Sequence, residues 1–286
     1  MRDYFFGQYY KCQAKGRTLA VIAAYHRSKG VPSCSIQLIT DDFVEKLSFP
    51  AEAWAYDKGS GSITVGGSRF DKRKMTLDIP ELGVSGQVFF AELTPIRYDI
   101  MGPFRFVPFM ECRHSVISMR HTLSGEVSFR GERFDFTDGL GYIEGDRGYS
   151  FPDKYIWTQS LLPARDAMNA SLMLSVASIP FGLFDFTGII GVVHIDGKEY
   201  RIATYLGARA VSVGGSSVEI KQGKYRLYAE LVKKNGHPLL APTLGSMTRT
   251  IHESASCTAR YRLTENGKTL FDTVTDAASF EFEWGK

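Results

Sequence analysis

The chain has 286 residues, of which 44% are hydrophobic and 23% are charged, and its formal net charge is +3. This length allows a large core, either in one large β domain or in two domains of ordinary size, and we favour two. Basic and acidic residues are mixed along the whole chain, which excludes the polybasic arm or stripe that binding to nucleic acid or to an anionic membrane requires.

The start of the chain and the cysteines bear on the cellular compartment. The first residues contain no apolar run of the length found in signal peptides, and this predicts a cytoplasmic protein. The four cysteines, Cys12, Cys34, Cys112 and Cys257, are far apart and form no Cys-x-x-Cys motif. Because disulfides are uncommon in cytoplasmic proteins, we expect these residues to be buried as small apolar side chains.

Short alternating runs of apolar and polar residues, divided by glycine turns, recur along the chain. Met75, Leu77 and Ile79 alternate with polar residues, as do Val127 and Phe129. This period of two is typical of half-buried strands, while helical periodicity is nearly absent. The sequence therefore predicts an all-β protein with antiparallel strands.

A ring-rich segment bounded by Pro103 and Pro108 leads into the ionisable run from Glu111 to His114. If this run is extended, Arg113 shares a face with Glu111, and His114 shares the opposite face with Cys112. One interpretation of His114 is a hydrogen-bonded core histidine. The other is a cavity residue that donates a proton or forms a hydrogen bond to the polar part of a ligand. The sequence leaves both interpretations open.

Acids, rings, an arginine and an amide are concentrated between residues 141 and 159. In an extended strand, Tyr142, Glu144 and Asp146 lie on one side, which gives an acidic, ring-lined face. The alternative is a structural ion pair of Asp146 or Glu144 with Arg147.

Farther along the same segment, Trp157 and Gln159 share a face with Tyr155 by the period of two. A ring beside an amide suits the wall of a pocket for a large apolar ligand with one polar end. Ordinary barrel core is the competing interpretation.

Residues 171–195 carry one charged residue, Asp185, and are long enough to cross a bilayer. Pro180 and Gly182 interrupt this stretch, and Asp185 is costly in lipid, so we predict a hydrophobic β-hairpin and no transmembrane span. The Asp196-Gly197 and Asn266-Gly267 pairs predict two tight type I′ hairpin turns.

Motifs for cofactors and metals are missing from the sequence. His252 alternates with Ser254 and Ser256 as a strand residue would, but no Gly-x-Ser-x-Gly, P-loop or dinucleotide fingerprint accompanies it. His-x-His and His-Glu-x-x-His spacings are also absent. We therefore expect no cofactor and no metal, and either cofactor-free chemistry or simple binding.

The two halves of the chain begin alike. Tyr9-Tyr10-Lys11-Cys12-Gln13 precedes a polar turn and an apolar strand, and Tyr155-Ile156-Trp157-Thr158-Gln159 does the same. Many evenly spaced strands in two similar halves favour two antiparallel β-barrels or strongly curved sheets packed together. We predict an N-terminal domain over residues 1–140 and a C-terminal domain over residues 141–286.

Two motifs carry a resemblance to a known family. The central motif Tyr142-x-Glu144-x-Asp146-x-Gly148-x-Ser150-Phe151-Pro152, followed by Trp157-x-Gln159, resembles the midchain signature of tocopherol cyclases. The opening Phe6-Gly7-Gln8-Tyr9-Tyr10-Lys11 is similar to the N-terminal motif of that family. The family is similar to carotenoid hydratases and lipocalin-like pericyclases, and the resemblance implies two lipocalin-like β-barrels with a ligand cavity.

The resemblance implies a cofactor-independent cyclase, an intramolecular lyase of the isomerase class, or a hydratase, acting on a prenylated or polyketide-like apolar small molecule. Such cyclisation requires a proton for an alkene, and a buried carboxylic acid can supply it. Glu144 and Asp146 are the candidate catalytic acids. The candidate substrate-binding residues are Tyr142, Arg147, Trp157, Gln159, Arg113, His114 and His252.

The alternative function is a non-catalytic, lipocalin-like binder or carrier of a hydrophobic small molecule. It needs the same cavity and rings but no positioned acid. Arg147 favours this alternative, because a cation beside a carboxylate keeps that carboxylate ionised. The sequence does not identify the substrate or the oligomeric state.

Overall fold

The computed structural model describes the backbone of residues 3–108, 110–162, 169–181, 184–234, 237–243 and 246–284. Within these ranges, the side chains of residues 181, 184, 237–243 and 246–255 are not described. The described chain forms two antiparallel β-sheets and contains only short 3-10 turns as helical elements, at Ala51–Ala53, Pro80–Leu82, Gly102–Phe106 and Thr204–Leu206. The prediction of an all-β, lipocalin-like fold is confirmed.

The first sheet runs in the order β4-β3-β2-β1-β12-β10-β9-β8-β7-β6-β5, with β11 beside β10. Its strands are β1 (Tyr4–Ala14), β2 (Arg17–Ser28), β3 (Val31–Thr40), β4 (Val44–Pro50), β5 (Trp54–Asp57), β6 (Ser62–Val65), β7 (Ser68–Phe70), β8 (Lys74–Ile79), β9 (Val84–Phe90), β10 (Cys112–Phe129), β11 (Glu132–Asp135) and β12 (Gly139–Gly148).

The second sheet runs in the order β16-β15-β14-β13-β22-β21-β19-β18-β17, with β20 beside β21. Its strands are β13 (Tyr155–Leu162), β14 (Ala170–Phe181), β15 (Phe184–Ile195), β16 (Lys198–Ala203), β17 (Arg209–Gly214), β18 (Ser217–Gln222), β19 (Tyr225–Lys233), β20 (His237–Thr243), β21 (Ser246–Glu265) and β22 (Lys268–Glu283).

The first sheet curls until it is nearly a closed barrel. Rings on its central strand β1 meet rings on strands that are not its neighbours: Phe6 lies 5.9 Å from Trp54 of β5, and Tyr10 lies 5.2 Å from Phe70 of β7. Apolar side chains at every second position of the strands fill the interior between these rings, because side chains alternate between the two faces of a strand. The opposite face of the central strands carries polar residues, among them His114 and Glu144.

The second sheet has its own apolar core, built from one face of β13, β14, β21 and β22 together with β15–β19. Ile156 and Phe280 lie in this core, and Tyr200 and Tyr225 meet edge to face across it at 5.8 Å. β13 is central: it pairs with the following strand β14 and with the last strand β22. β1 has the same position in the first sheet, between β2 and β12.

The chain divides into two compact units. The first consists mainly of Met1–Pro95 and Cys112–Ser150, while the second includes Ile96–Glu111, Phe151–Leu239 and Thr250–Lys286. β12 therefore belongs to the first sheet, and the segment before β10 belongs with the second. The division into folding domains at residues 1–140 and 141–286 remains a prediction.

The predicted hairpins are present. β14 and β15 pair along their whole length, so the described parts of the apolar stretch, residues 171–181 and 184–195, form the two antiparallel arms of the predicted hairpin. Asp196 and Gly197 connect β15 to β16 with φ of 48° and 79°, and Asn266 and Gly267 connect β21 to β22 with φ of 49° and 80°. Two positive φ values are what a type I′ turn needs. No helix among the described residues has the length and apolarity that crossing a membrane requires.

Candidate functional site

The pairing of β10 with β12 builds a polar cluster on one face of the first sheet. His114 stands opposite Asp146, and Val116 stands opposite Glu144. Because side chains alternate along a strand, Tyr142, Glu144 and Asp146 share this face, whereas Ile143 points into the barrel core. The sequence prediction of one acidic, ring-lined face is thus matched by the geometry of β12.

Four side chains of this face form a continuous chain of polar contacts, which we call the His114 cluster: Tyr142, Glu144, His114 and Asp146. The Tyr142 hydroxyl donates to Glu144 Oε2 at 2.5 Å. His114 Nε2 lies 3.1 Å from the same oxygen, and His114 Nδ1 lies 2.8 Å from Asp146 Oδ1. The imidazole therefore lies between two carboxylates.

The two contacts of the imidazole differ in quality. The Nδ1 contact to Asp146 has hydrogen-bond geometry, whereas Nε2 is close to Glu144 but its N–H is not aimed at the oxygen. The Cys112 thiol adds a weak donor to Asp146 Oδ1 at 3.4 Å. We treat the Nε2 contact as an ion pair without a formed hydrogen bond, since alignment decides hydrogen-bond strength.

Burial separates Asp146 from the rest of the cluster. The side chains of His114 and Glu144 are 8% and 5% exposed, whereas that of Asp146 is 23% exposed. Tyr142 is completely buried. Asp146 Oδ2 accepts no hydrogen bond from the described residues, because the contacts of Asp146 involve Oδ1. Asp146 therefore offers the more exposed carboxylate of the cluster.

The electrostatics favour a positive imidazole and a neutral phenol. Burial opposes charge on His114, but Asp146 and Glu144 outweigh it, so that the pKa of His114 is raised well above its ordinary value of 6.5. Burial and the adjacent Glu144 raise the pKa of Tyr142 far above its ordinary range. At neutral pH the cluster holds an imidazolium between two acids and a phenol that can donate but not ionise.

The cluster also has the residue types of a metal site, since ligand atoms of His114, Glu144 and Asp146 lie within 4.8 Å of one another. However, both imidazole nitrogens face carboxylate oxygens, at 2.8 and 3.1 Å. A metal-binding histidine must offer a nitrogen lone pair, and a doubly protonated ring has none. A shared-proton network of this kind needs no metal, and the absence of a metal stays a prediction.

The remaining predicted site residues lie elsewhere. Arg113 and Arg147 stand opposite each other one position along from His114 and Asp146, so they lie on the other face of the sheet. Trp157 and Gln159 lie on β13 in the second unit. The side chain of His252 lies outside the residues whose side chains the structure describes. The structure groups four of the predicted residues in the His114 cluster.

Sequence reasoning missed two residues of the same face. Lys11 stands opposite Tyr142, and Tyr9 stands opposite Glu144, in the pairing of β1 with β12. Lys11 has no exposed surface and Tyr9 is 6% exposed. A fully buried lysine is rare in proteins. The signal was available, because both residues belong to the N-terminal motif that supported the family resemblance.

In the second unit, β13 presents a second polar face. Tyr155 donates its hydroxyl to Glu281, and Gln159 is fully buried on the same side of the strand. Neither the Oε1 nor the Nε2 atom of Gln159 has a hydrogen-bond partner among the described residues. The predicted grouping of Tyr155, Trp157 and Gln159 on one face agrees with the strand geometry.

The fold and the polar faces define a protein of the lipocalin-like, antiparallel β class. Residues 89–283 match the family model described as "Tocopherol cyclase-like", and the chain belongs to that family. It is 22% identical over 211 residues to a probable chloroplastic tocopherol cyclase of Oryza sativa subsp. japonica. That match covers 68% of this chain but only 44% of the rice protein.

Solved structures with the same fold include CghA, for which the TM-score is 0.62 at 8% identity, covering 99% of this chain and 89% of CghA. CghA has also been solved with Sch210972. Kievitone hydratase from Nectria haematococca has a TM-score of 0.52 at 8% identity, with 99% of this chain and 89% of the hydratase covered. At such low identity these similarities establish the fold alone.

Proposed function

We propose that the protein is a cofactor-independent cyclase or hydratase that uses acid catalysis on a prenylated or polyketide-like apolar small molecule. The observation that carries the proposal is the position of His114 between Asp146 and Glu144, with Tyr142 bonded to Glu144. Membership in a tocopherol cyclase-like family and the fold shared with kievitone hydratase support this class of reaction.

Cyclisation and hydration have a common chemical course in this proposal. An acid adds a proton to one carbon of an alkene, and an oxygen nucleophile bonds to the carbocation that forms. The nucleophile is a hydroxyl of the same molecule in cyclisation and water in hydration. That oxygen then loses its proton to the carboxylate that donated the first one, so the acid is regenerated without a cofactor.

Asp146 is the proposed proton donor. Asp146 is the more exposed acid of the cluster, and in the donor state its Oδ2 carries the proton while Glu144 alone balances the imidazolium. That proton leaves for the alkene. The His114 N–H on Oδ1 stabilises the carboxylate that remains, because a hydrogen bond to the charged form favours that form. Glu144, held by Tyr142, keeps the imidazole charged and oriented. This assigns Glu144 a positioning role and Asp146 the catalytic one.

The test is a set of prenylated phenols and quinols incubated with the protein and followed by liquid chromatography with mass spectrometry. A cyclase yields a product of unchanged mass, and a hydratase yields a product heavier by one water. In deuterium oxide, alkene protonation places one non-exchangeable deuterium on carbon. A product without carbon-bound deuterium would contradict acid catalysis.

Amide variants then locate the acid. We expect Asp146→Asn to reduce turnover by about 10²–10⁴-fold, the usual contribution of a positioned acid. Asp78→Asn changes an exposed carboxylate of β8 and serves as the matched control, with turnover unchanged. Unchanged turnover in both Asp146→Asn and Glu144→Gln would remove the acid-catalysis proposal.

A non-catalytic carrier is the second candidate. The observation that favours it is the imidazolium between the two acids, because an adjacent cation favours the ionised form of a carboxylate. A carrier would use these charges to orient a polar head group. Retention of a phenol in native mass spectrometry, with every compound of the set returned unchanged, would favour the carrier over the catalyst.

A further inference from the structure

The β1 position beside the proposed acid carries no side chain. Gly7 of β1 stands opposite Asp146 of β12, and it shares the face of the His114 cluster with Phe5 and Tyr9. Opposite residues of an antiparallel pair have Cβ atoms about 4.5–5.5 Å apart, so a side chain at position 7 would reach the Asp146 carboxylate. The glycine therefore leaves a gap next to Asp146.

The fold itself does not require a glycine at position 7. Gly7 is partly exposed, and its φ is not one of the positive values that favour glycine. A Cβ built there would have Ala24 Cβ at 3.4 Å, Ala23 O at 3.7 Å and Ile22 Cγ2 at 3.9 Å as its nearest neighbours, which are ordinary contact distances. All three atoms belong to β2. The gap is therefore open towards β12 and Asp146.

Packing does require a glycine elsewhere in the same sheet. A Cβ on Gly141 of β12 would lie 2.2 Å from Nε2 of His121, so a larger residue does not fit there. Gly7 has no neighbour so close, and glycine within a strand lowers stability relative to alanine. A strand glycine that the fold does not need is typical of a place where a ligand approaches the backbone closely.

Two aromatic rings flank the gap along β1. Phe5 and Tyr9 lie two residues before and after Gly7, on the same face of the strand, and are 3% and 6% exposed. On the next strand, Ala24 stands opposite Gly7 and contributes only a methyl group. The gap thus has a carboxylate on one side and a ring at each end. Aromatic faces and carboxylates both attract a cation.

We propose that Gly7 is a specificity-determining residue, against which the branched, tertiary carbon of the substrate alkene lies. This inference rests on the proposed acid catalysis. The π electrons of the alkene bond the Asp146 proton to the less substituted carbon, and the tertiary carbon beside Gly7 becomes the cation. Ionised Asp146 and the rings of Phe5 and Tyr9 stabilise this cation. A hydroxyl or water oxygen then bonds to it and returns a proton to Asp146.

The test uses ortho-(dimethylaminoethyl)phenol as the probe, in which a protonated nitrogen with two methyl groups replaces the tertiary cation. The neutral comparison compound is ortho-isopentylphenol, which has nearly the same shape. Calorimetry measures the binding of each compound to the full chain at neutral pH. We expect the ammonium compound to bind more tightly by about tenfold or more. Equal binding, or no measurable binding of the ammonium compound, would overturn the proposal.

The decisive variant is Gly7→Ala, which fills the gap by one methyl group. Its melting temperature should be unchanged or higher, because the added Cβ makes only ordinary contacts. Binding of the dimethyl compound should fall by about tenfold, as one methyl group discriminates in a fitted site. The compound ortho-(methylaminoethyl)phenol has the same charge but one methyl group fewer, and its binding should change by less than about twofold. Equal losses for both compounds would exclude a direct contact with Gly7, and the proposal would fail.

Ser48→Val is the matched control. Ser48 of β4 is exposed and lies in the same row of the sheet as Gly7, through the pairs Gly7–Ala24, Ala24–Ser35 and Ser35–Ser48. We expect both ammonium compounds to bind this variant as they bind the native protein. A loss of binding equal to that in Gly7→Ala would show that any enlargement on this face has the same effect, and the assignment of Gly7 would fail.

Turnover separates this inference from the proposed function. We expect Gly7→Ala to lower the turnover of a prenylated phenol by about tenfold. If Asp146→Asn abolishes turnover but Gly7→Ala reacts as fast as the native protein, acid catalysis stands and the assignment of Gly7 fails. If no compound is converted but the ammonium compounds bind as expected, the contact of Gly7 with the ligand stands and acid catalysis alone fails.

Discussion

His114 and Asp146 face each other across the antiparallel strands β10 and β12, with 2.8 Å between Nδ1 and Oδ1. This pairing fixes the orientation of the imidazole ring and, with Glu144 on the other side, makes the ring a buried cation. The register of β10 and β12 therefore determines the protonation state of the imidazole. A shift of one residue would turn His114 towards the barrel core.

The stability contribution of His114 should decrease at alkaline pH. The folded-state pKa of His114 is raised above its ordinary value of 6.5, so folding takes up a proton between these two values. The contribution is complete below pH 6.5 and is lost as the pH rises through the folded-state pKa. We expect His114→Gln to lower the free energy of unfolding by about 3–5 kcal/mol at pH 6, as when a buried ion pair loses one partner.

Denaturant unfolding between pH 5 and pH 10 measures the difference between the native protein and this variant. His121 provides a control of opposite sign, because burial lowers the pKa of its ring to about 4. In the native protein, the contribution of His121 to the free energy of unfolding should decrease as the pH falls from 6.5 towards 4, because the unfolded state takes up the proton first. A stability difference for His114→Gln that grows with rising pH would contradict the assignment of a buried imidazolium.

Removal of the Tyr142 hydroxyl should impair both stability and turnover. Tyr142→Phe leaves Glu144 without the donor at 2.5 Å, and a hydrogen bond to a charged group contributes about 1.5–3 kcal/mol. Tyr10→Phe is the matched control, because the Tyr10 hydroxyl donates to the neutral Gln8 at 2.5 Å on the core side of β1. We expect a smaller loss of about 0.5–1.5 kcal/mol there and unchanged turnover. Equal effects of the two variants on turnover would contradict a role for Tyr142 in the site.

Chelation should have no effect on the His114 cluster. The two adjacent carboxylates raise the pKa of its imidazole, and a protonated ring offers no lone pair to a metal ion. We expect dialysis against EDTA to leave both the melting temperature and the turnover unchanged. A lower melting temperature that is restored by one particular divalent ion would show instead that the three residues bind a metal.

Local features of the fold were predictable because they depend on neighbouring residues. Alternation along residues 75–79 predicted β8, and the Asp196-Gly197 pair predicted its turn from the conformational preferences of two residues. Alternation alone also predicted that Tyr142, Glu144 and Asp146 share one face of a strand. In each case the physical rule operates within a few residues.

The partners of β12 were not predictable in the same way. Glu144 meets Tyr9 of β1 on one side and Val116 of β10 on the other, through pairings that are distant in sequence. Register shifts in β10 after Val116 also break simple alternation. The imidazole between the two acids follows from these distant pairings, which is why the sequence suggested His114 as a polar handle but not as the centre of the cluster.

A buried ion pair in the second unit should contribute more to stability than a similar pair on the surface. Arg201 and Glu199 are 6% and 5% exposed and lie 2.8 Å apart, and the Arg201 guanidinium stacks on Tyr98 at 4.1 Å. We expect Glu199→Gln to cost about 3–5 kcal/mol, because it leaves a buried cation without its acid. The exposed Arg260–Asp272 pair is the control, and Asp272→Asn should cost about 0–1 kcal/mol. Thermal unfolding of both variants measures the contrast, and equal losses would mean that burial does not govern the strength of these pairs.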